Sequence, residues 1–221
     1  MTETEIRRVL LSHLASMPGA DGAAFISEMF LESFSRRADL VMANGSLAAF
    51  EIKSERDTLI RLSGQLASYL RLFEQVTVVC AARHVEGVMH LAEHAVGVWA
   101  VDERGQVNVV RRAKSRRILS RSSWLSFVPV DELRVLIKAS GQKAIGTRQE
   151  LMERAQFLPL RYVREYVLSY LKRRDKRIRD IVSRRAATQS NSAGLKFDVE
   201  ERVRAFLANG AHVKAIPRKI S

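Results

Sequence analysis

RADLVMANGSLAAFEIKSERDTLIRLSGQLASY, residues Arg37 to Tyr69, decides the fold. Ala38, Leu40 and Met42 are apolar at alternate positions, and so are Ala48, Phe50 and Ile52; this period of two predicts a pair of half-buried strands. Residues opposed in an antiparallel pair share a face, so burying both rows together requires Leu40 opposite Phe50, Met42 opposite Ala48 and Ala38 opposite Ile52. That register leaves Asn44-Gly45-Ser46 as a three-residue loop, with Gly45 free to take the left-handed conformation. A two-residue Asn-Gly turn would instead set Asp39 across from Phe50 and mix charge into the core row.

The preferred register puts Arg37, Asp39 and Val41 on the second face, opposite Lys53, Glu51 and Ala49. Asp39 then faces Glu51, and two carboxylates at cross-strand spacing repel unless a cation lies between them. A hard cation such as Mg²⁺ (or Mn²⁺) takes oxygen ligands, often only one or two carboxylates, and leaves room for water and phosphate. Lys53, two residues beyond Glu51, projects from the same face. A metal held there would activate a water against a phosphodiester, with the lysine beside that water.

The helix expected next, capped by Ser54 or Asp57, buries Leu59, Leu62, Leu66, Leu70 and Phe73 at spacings of three and four. Gln65 and Tyr69 are four apart on a neighbouring face, with Arg61 one turn earlier. Packed beside the hairpin, that face reaches the carboxylates.

Asp39, then Glu51-Ile52-Lys53, then Gln65-Leu66-Ala67-Ser68-Tyr69, resembles the PD-(D/E)xK nuclease superfamily, and the Gln-x-x-x-Tyr element resembles its RecB-like branch. The resemblance implies a restriction-endonuclease-like α/β core, a mixed central sheet flanked by helices. It implies Mg²⁺ at Asp39 and Glu51, a catalytic Lys53 supported by Gln65 and Tyr69, and an upstream glutamate, Glu28 or else Glu32, completing the metal site. Ala38 stands where that family's pattern has proline. The competing reading of the same residues is a solvated sheet face with cross-strand ion pairs.

Charge is distributed unevenly. Residues 1–110 carry 10 Lys and Arg against 14 Asp and Glu, whereas residues 111–221 carry 27 against 10. The second half has the electrostatic footprint of a nucleic-acid binder. One cysteine, Cys80, excludes an internal disulfide framework and suits a reducing cytoplasm. The amino terminus has no secretory signal pattern, and no apolar run is long enough to span a bilayer. There is no Gly-rich phosphate loop, Cys-x-x-Cys pair or nucleophile elbow. His90 and His94 have a zinc-ligand spacing without further partners.

Read in order, residues 2–16 predict an amphipathic helix, 24–34 a strand carrying Glu28, 76–81 a buried strand, 84–94 a helix, and 97–101 and 107–110 two more strands. A basic linker, residues 111–129, separates this domain (1–110) from a basic, mostly helical region (130–221). Within it, residues 130–155 resemble the SAP helix-loop-helix module, which implies phosphate contacts from Lys143 and Arg148. A long helix from Pro159 to about Arg185 follows, basic from Lys172, Arg173 and Arg174 onward, then a polar linker at 188–194, a last helix at 195–207 and a basic tail. Arg37 and Arg61 are further phosphate candidates. The sequence therefore predicts a cytoplasmic, bacterial, Mg²⁺-dependent nuclease, a hydrolase acting on DNA. Two alternatives stay open: a non-catalytic DNA-binding or accessory protein on the same fold, or an RNA-directed nuclease.

Overall fold

The computed structural model of the protein describes residues 1–18, 20–31 and 36–208, with side chains described as far as residue 184. Helix α1 (Glu3–Ala15) starts at a capping box, in which the Thr2 hydroxyl accepts from the Glu5 N–H and the Glu5 carboxylate accepts from the Thr2 N–H. A six-stranded sheet follows in sequential order: β1 (Ala24–Leu31), β2 (Arg36–Ala43), β3 (Leu47–Lys53), β4 (Gln75–Ala81), β5 (Gly97–Val101) and β6 (Val107–Arg111). The β1–β2–β3 meander and the β5–β6 pair are antiparallel, whereas β3–β4 and β4–β5 are parallel. The parallel pairs need crossovers, supplied by α2 (Leu62–Leu72) and α3 (Val85–Leu91).

Leu40 faces Phe50, Met42 faces Ala48, and Gly45 turns the loop with φ +69°, as the alternation predicts. Leu40, Ala48, Phe50 and Ile52 pack with Ile6, Leu10 and Leu14 of α1 on one side of the sheet. Ala38 departs from its row. It packs in the core on the opposite side, with Val41 and Ala43, and its expected pairing with Ile52 does not form.

That opposite side is covered by α2 and by the helices after the sheet: α4 (Arg121–Leu125), α5 (Val130–Ala139), α6 (Arg148–Ala155) and the start of α7 (Leu160–Ala208). Leu133, Leu136, Leu151, Val163 and Val167 share one core with Val78 and Val98 of the sheet. Covered on both faces, β3 is buried along its whole length. Residues Met1–Lys176 form one compact unit, which holds the sheet together with residues 111–176, and Arg177–Ser221 a second.

Several expected boundaries move. Ser54 and Asp57 bond to each other in a turn, with Asp57 Oδ2 accepting from the Ser54 N–H, and α2 begins only at Leu62. His94 lies beyond the end of α3, so the expected His90–His94 spacing on one helix is not realised. Helix α7 runs without a break through 188–194. Glu32, Phe34 and the basic tail at 214–221 lie outside the described residues.

One long-range clamp ties α7 to the central hairpin. Buried Glu74 accepts from Arg164 Nε and Nη2 at 2.8 and 3.0 Å and from the Leu47 N–H at 2.9 Å. Arg164 also donates to the Gly45 carbonyl and lies over the Trp124 ring, while Lys172 donates to Asn44 Oδ1 at 2.9 Å.

Candidate functional site

The residues predicted from the central stretch do converge. A cleft of about 600 Å³ is lined by Glu3, Arg36, Arg37, Asp39, Glu51, Ile52, Lys53, Asp57, Ile60, Arg61, Gly64 and Gln65. Glu51 is buried at its centre. Lys53 Nζ donates to Glu51 Oε1 at 2.7 Å and to Gln65 Oε1 at 3.1 Å, the Gln65 amide donates to the same carboxylate oxygen, and the Tyr69 hydroxyl donates to Oε2 at 2.7 Å. Helix α2 therefore meets the carboxylate face through Gln65 and Tyr69, as their spacing of four predicts. Burial pushes the Tyr69 hydroxyl's pKa well up, reinforced by the Glu51 charge, so it acts as a neutral donor.

Asp39 sits where β2 and β3 part company. Its Oδ2 accepts from the Ile52 N–H at 2.7 Å, taking the place of a backbone ladder bond. Burial, then the Glu51 charge, push its pKa up to about 7, against the opposing pull of that N–H. In the β1–β2 register Glu28 falls across from Asp39, and it adopts φ +55°, a left-handed conformation rare outside glycine. The inward row of β1 changes phase there: Ala24 and Ile26 are buried before it, Met29 and Leu31 after it.

Glu28 is ion-paired with Arg7 and Arg37, and Arg7 also pairs with Glu3. Carboxylate oxygens of Glu3, Glu28 and Asp39 all lie within 4.8 Å of one another. This set differs from the expected Asp39–Glu51–Glu28 trio: Glu3 from α1 joins it, and Glu51 is held instead by Lys53, Gln65 and Tyr69. Glu3 escaped the sequence reading because nothing local aims α1 at β1. The only hint is the Glu3–Arg7 spacing of four on one helix face.

The predicted phosphate contacts scatter. Arg37 and Arg61 line the cleft. Lys143 is exposed in the α5–α6 loop. The Arg148 guanidinium donates to the carbonyls of Val128 and Leu125. Lys172 is engaged at Asn44, Arg173 pairs with Glu132 and lies over Tyr166, and Arg174 lines a second cleft.

The profile of the family bacteriophage P4 protein cII matches residues 1–197. Protein cII of Enterobacteria phage P4 is 34% identical over 179 residues, spanning 79% of this chain and 68% of that protein. Among solved structures, a protein of unknown function from Silicibacter pomeroyi aligns over 66% of this chain and 98% of its own, with 17% identity and a TM-score of 0.44, too low for any inference. These matches correct the sequence reading. The PD-(D/E)xK resemblance rested on short motifs, and neither it, nor its SAP-like appendage, nor the Mg²⁺-dependent nuclease and hydrolase activity drawn from it is the relationship the whole chain displays. A cluster of the right side chains is not by itself an enzyme. The chain belongs to the bacteriophage P4 protein cII family.

Proposed function

We propose that the protein is a non-catalytic DNA-binding or accessory protein that engages the phosphate backbone through its basic carboxy-terminal half. The observation that carries this reading is the segregation of charge, 27 Lys and Arg against 10 Asp and Glu in residues 111–221. Contacts of that kind are independent of base sequence and release counterions, so they weaken steeply with salt.

Gel retardation of a DNA duplex by the full chain tests it. Retardation is expected in low salt, with affinity falling at least about tenfold between roughly 50 and 200 mM salt. Replacing Arg174, Lys176 and Arg177 with glutamine should weaken binding and flatten the salt dependence. Binding indifferent to both changes would overturn the reading, and DNA cut in the presence of Mg²⁺ would overturn its non-catalytic part.

We further propose that the acidic cluster accepts a divalent cation, Mg²⁺ or Mn²⁺. Glu3, Glu28 and Asp39 offer the hard oxygen donors such an ion takes, on three separate elements. Bound there it would tie α1, β1 and β2 together. Millimolar Mg²⁺ should then raise the melting temperature of the wild type and leave that of Asp39→Asn unmoved. An equal rise in both proteins would remove the cation from this site.

A further inference from the structure

Phe157, in the turn between α6 and α7, is 87% exposed, and Leu119, just before α4, is 72% exposed. Arg121 ties the two segments together: its Nε donates to the Leu158 carbonyl at 2.7 Å. The backbone that carries both side chains is fixed. Ile118 and Leu158, their chain neighbours, are buried, the Ser120 hydroxyl caps α4, and the Phe157 N–H donates to the Arg154 carbonyl at 3.2 Å. Arg154 in turn donates to the Lys143 carbonyl at 2.9 Å, which brings the α5–α6 loop to the same turn. Among the described residues Phe157 makes no ring contact, and neither Arg121 nor Lys143 pairs with a carboxylate. One exposed apolar side chain is ordinary; an aromatic ring held out on a rigid turn, with a second apolar side chain and free cations tied to it, is a surface built for a partner.

We propose that Phe157 is a wedge that enters the base stack of a bound DNA duplex and kinks it, with Arg121 and Lys143 at the flanking phosphates. The inference rests on the nucleic-acid reading above and adds an activity to it, the bending of DNA. Stacked base pairs offer an aromatic ring their flat apolar faces only where two neighbours part, and side chains that part them work beside cations that grip the bent backbone. Charge selects the polyanion: of the eleven residues from Arg111 to Arg121, six are cations and none is an anion. Parting a base step costs stacking energy, and a mismatch lowers that cost. An anionic bilayer is the competing occupant, since it accepts the same side chains without any base stack.

Energy transfer between dyes at the two ends of a short duplex reads the bend, and gel retardation reads binding, both with the full chain. Wild type should raise the transfer, and should bind a duplex with one central mismatch at least about fivefold more tightly than the matched one. Phe157→Ala should retard the matched duplex within about twofold of wild type yet lose both the rise in transfer and the preference for the mismatch. Phe157→Leu, which keeps an apolar wedge, should retain both. Failure of the wild type to retard any duplex would sink the nucleic-acid reading altogether. Retardation without a rise in transfer, or a rise that Phe157→Ala retains in full, would sink the wedge alone. Sedimentation with phosphatidylserine vesicles that Phe157→Ala abolishes, while the transfer is the same in both proteins, would make Phe157 a membrane contact and overturn the proposal.

Discussion

Arg164→Ala should lower the unfolding free energy by about 3–5 kcal/mol, because it strands a buried carboxylate whose cation has gone. Glu74 is almost fully buried, and both of its oxygens accept from Arg164. The change also removes a donor from the Gly45 carbonyl and the guanidinium over Trp124. Chemical denaturation of Arg164→Met, Glu74→Gln and the Arg164→Met/Glu74→Gln double variant gives the coupling directly. The double variant should be less damaged than the sum of the singles, since it leaves no unpaired charge. A loss within about 0.5 kcal/mol for Arg164→Ala, typical of an exposed surface substitution, would show that the clamp contributes little.

The second large effect concerns pH. The Asp39 carboxyl in the folded protein holds its proton up to about pH 7, whereas the unperturbed group ionises near 3.8. Between those values the native state binds more protons than the unfolded chain, so Asp39 makes stability fall as pH rises from about 4 to 7 and then level off. A rise of this size corresponds to a few kcal/mol, as an order of magnitude. Asp39→Asn keeps an oxygen for the Ile52 N–H but does not titrate. Unfolding free energies measured for both proteins from pH 4 to 8 should therefore diverge, with the asparagine variant the more stable at pH 8. Parallel profiles would show that Asp39 is not held protonated.

The hairpin register was legible because two apolar rows of period two and one glycine leave a single way to bury both rows. The meeting of Glu51, Lys53, Gln65 and Tyr69 was legible for a related reason: positions two apart on a strand and four apart on a helix share a face. What escaped depends on contacts distant in sequence or on backbone no propensity foretells. Glu28 takes a positive φ that its residue type disfavours, and the phase change this brings to β1 coincides with the passage of Ala38 to the other core. Glu3 reaches the cleft only because α1 lies across the sheet. Arg164 and Glu74 are separated by 90 residues, and nothing in either neighbourhood names the other. The family assignment failed differently: the side chains gathered as expected, yet short motifs of common residues recur in unrelated chains, and similarity along residues 1–197 outweighs them.

The Glu74–Arg164 pair also bears on how the chain is made. Strand β3, helix α2, Glu74 and strand β4 leave the ribosome well before Arg164 does, so during synthesis the turn before β4 carries a carboxylate without its guanidinium partner. The sheet cannot close over that carboxylate at low cost until the first turn of α7 has emerged. A nascent chain arrested short of residue 164 should accordingly remain open to protease around the hairpin, although the strands themselves were translated long before.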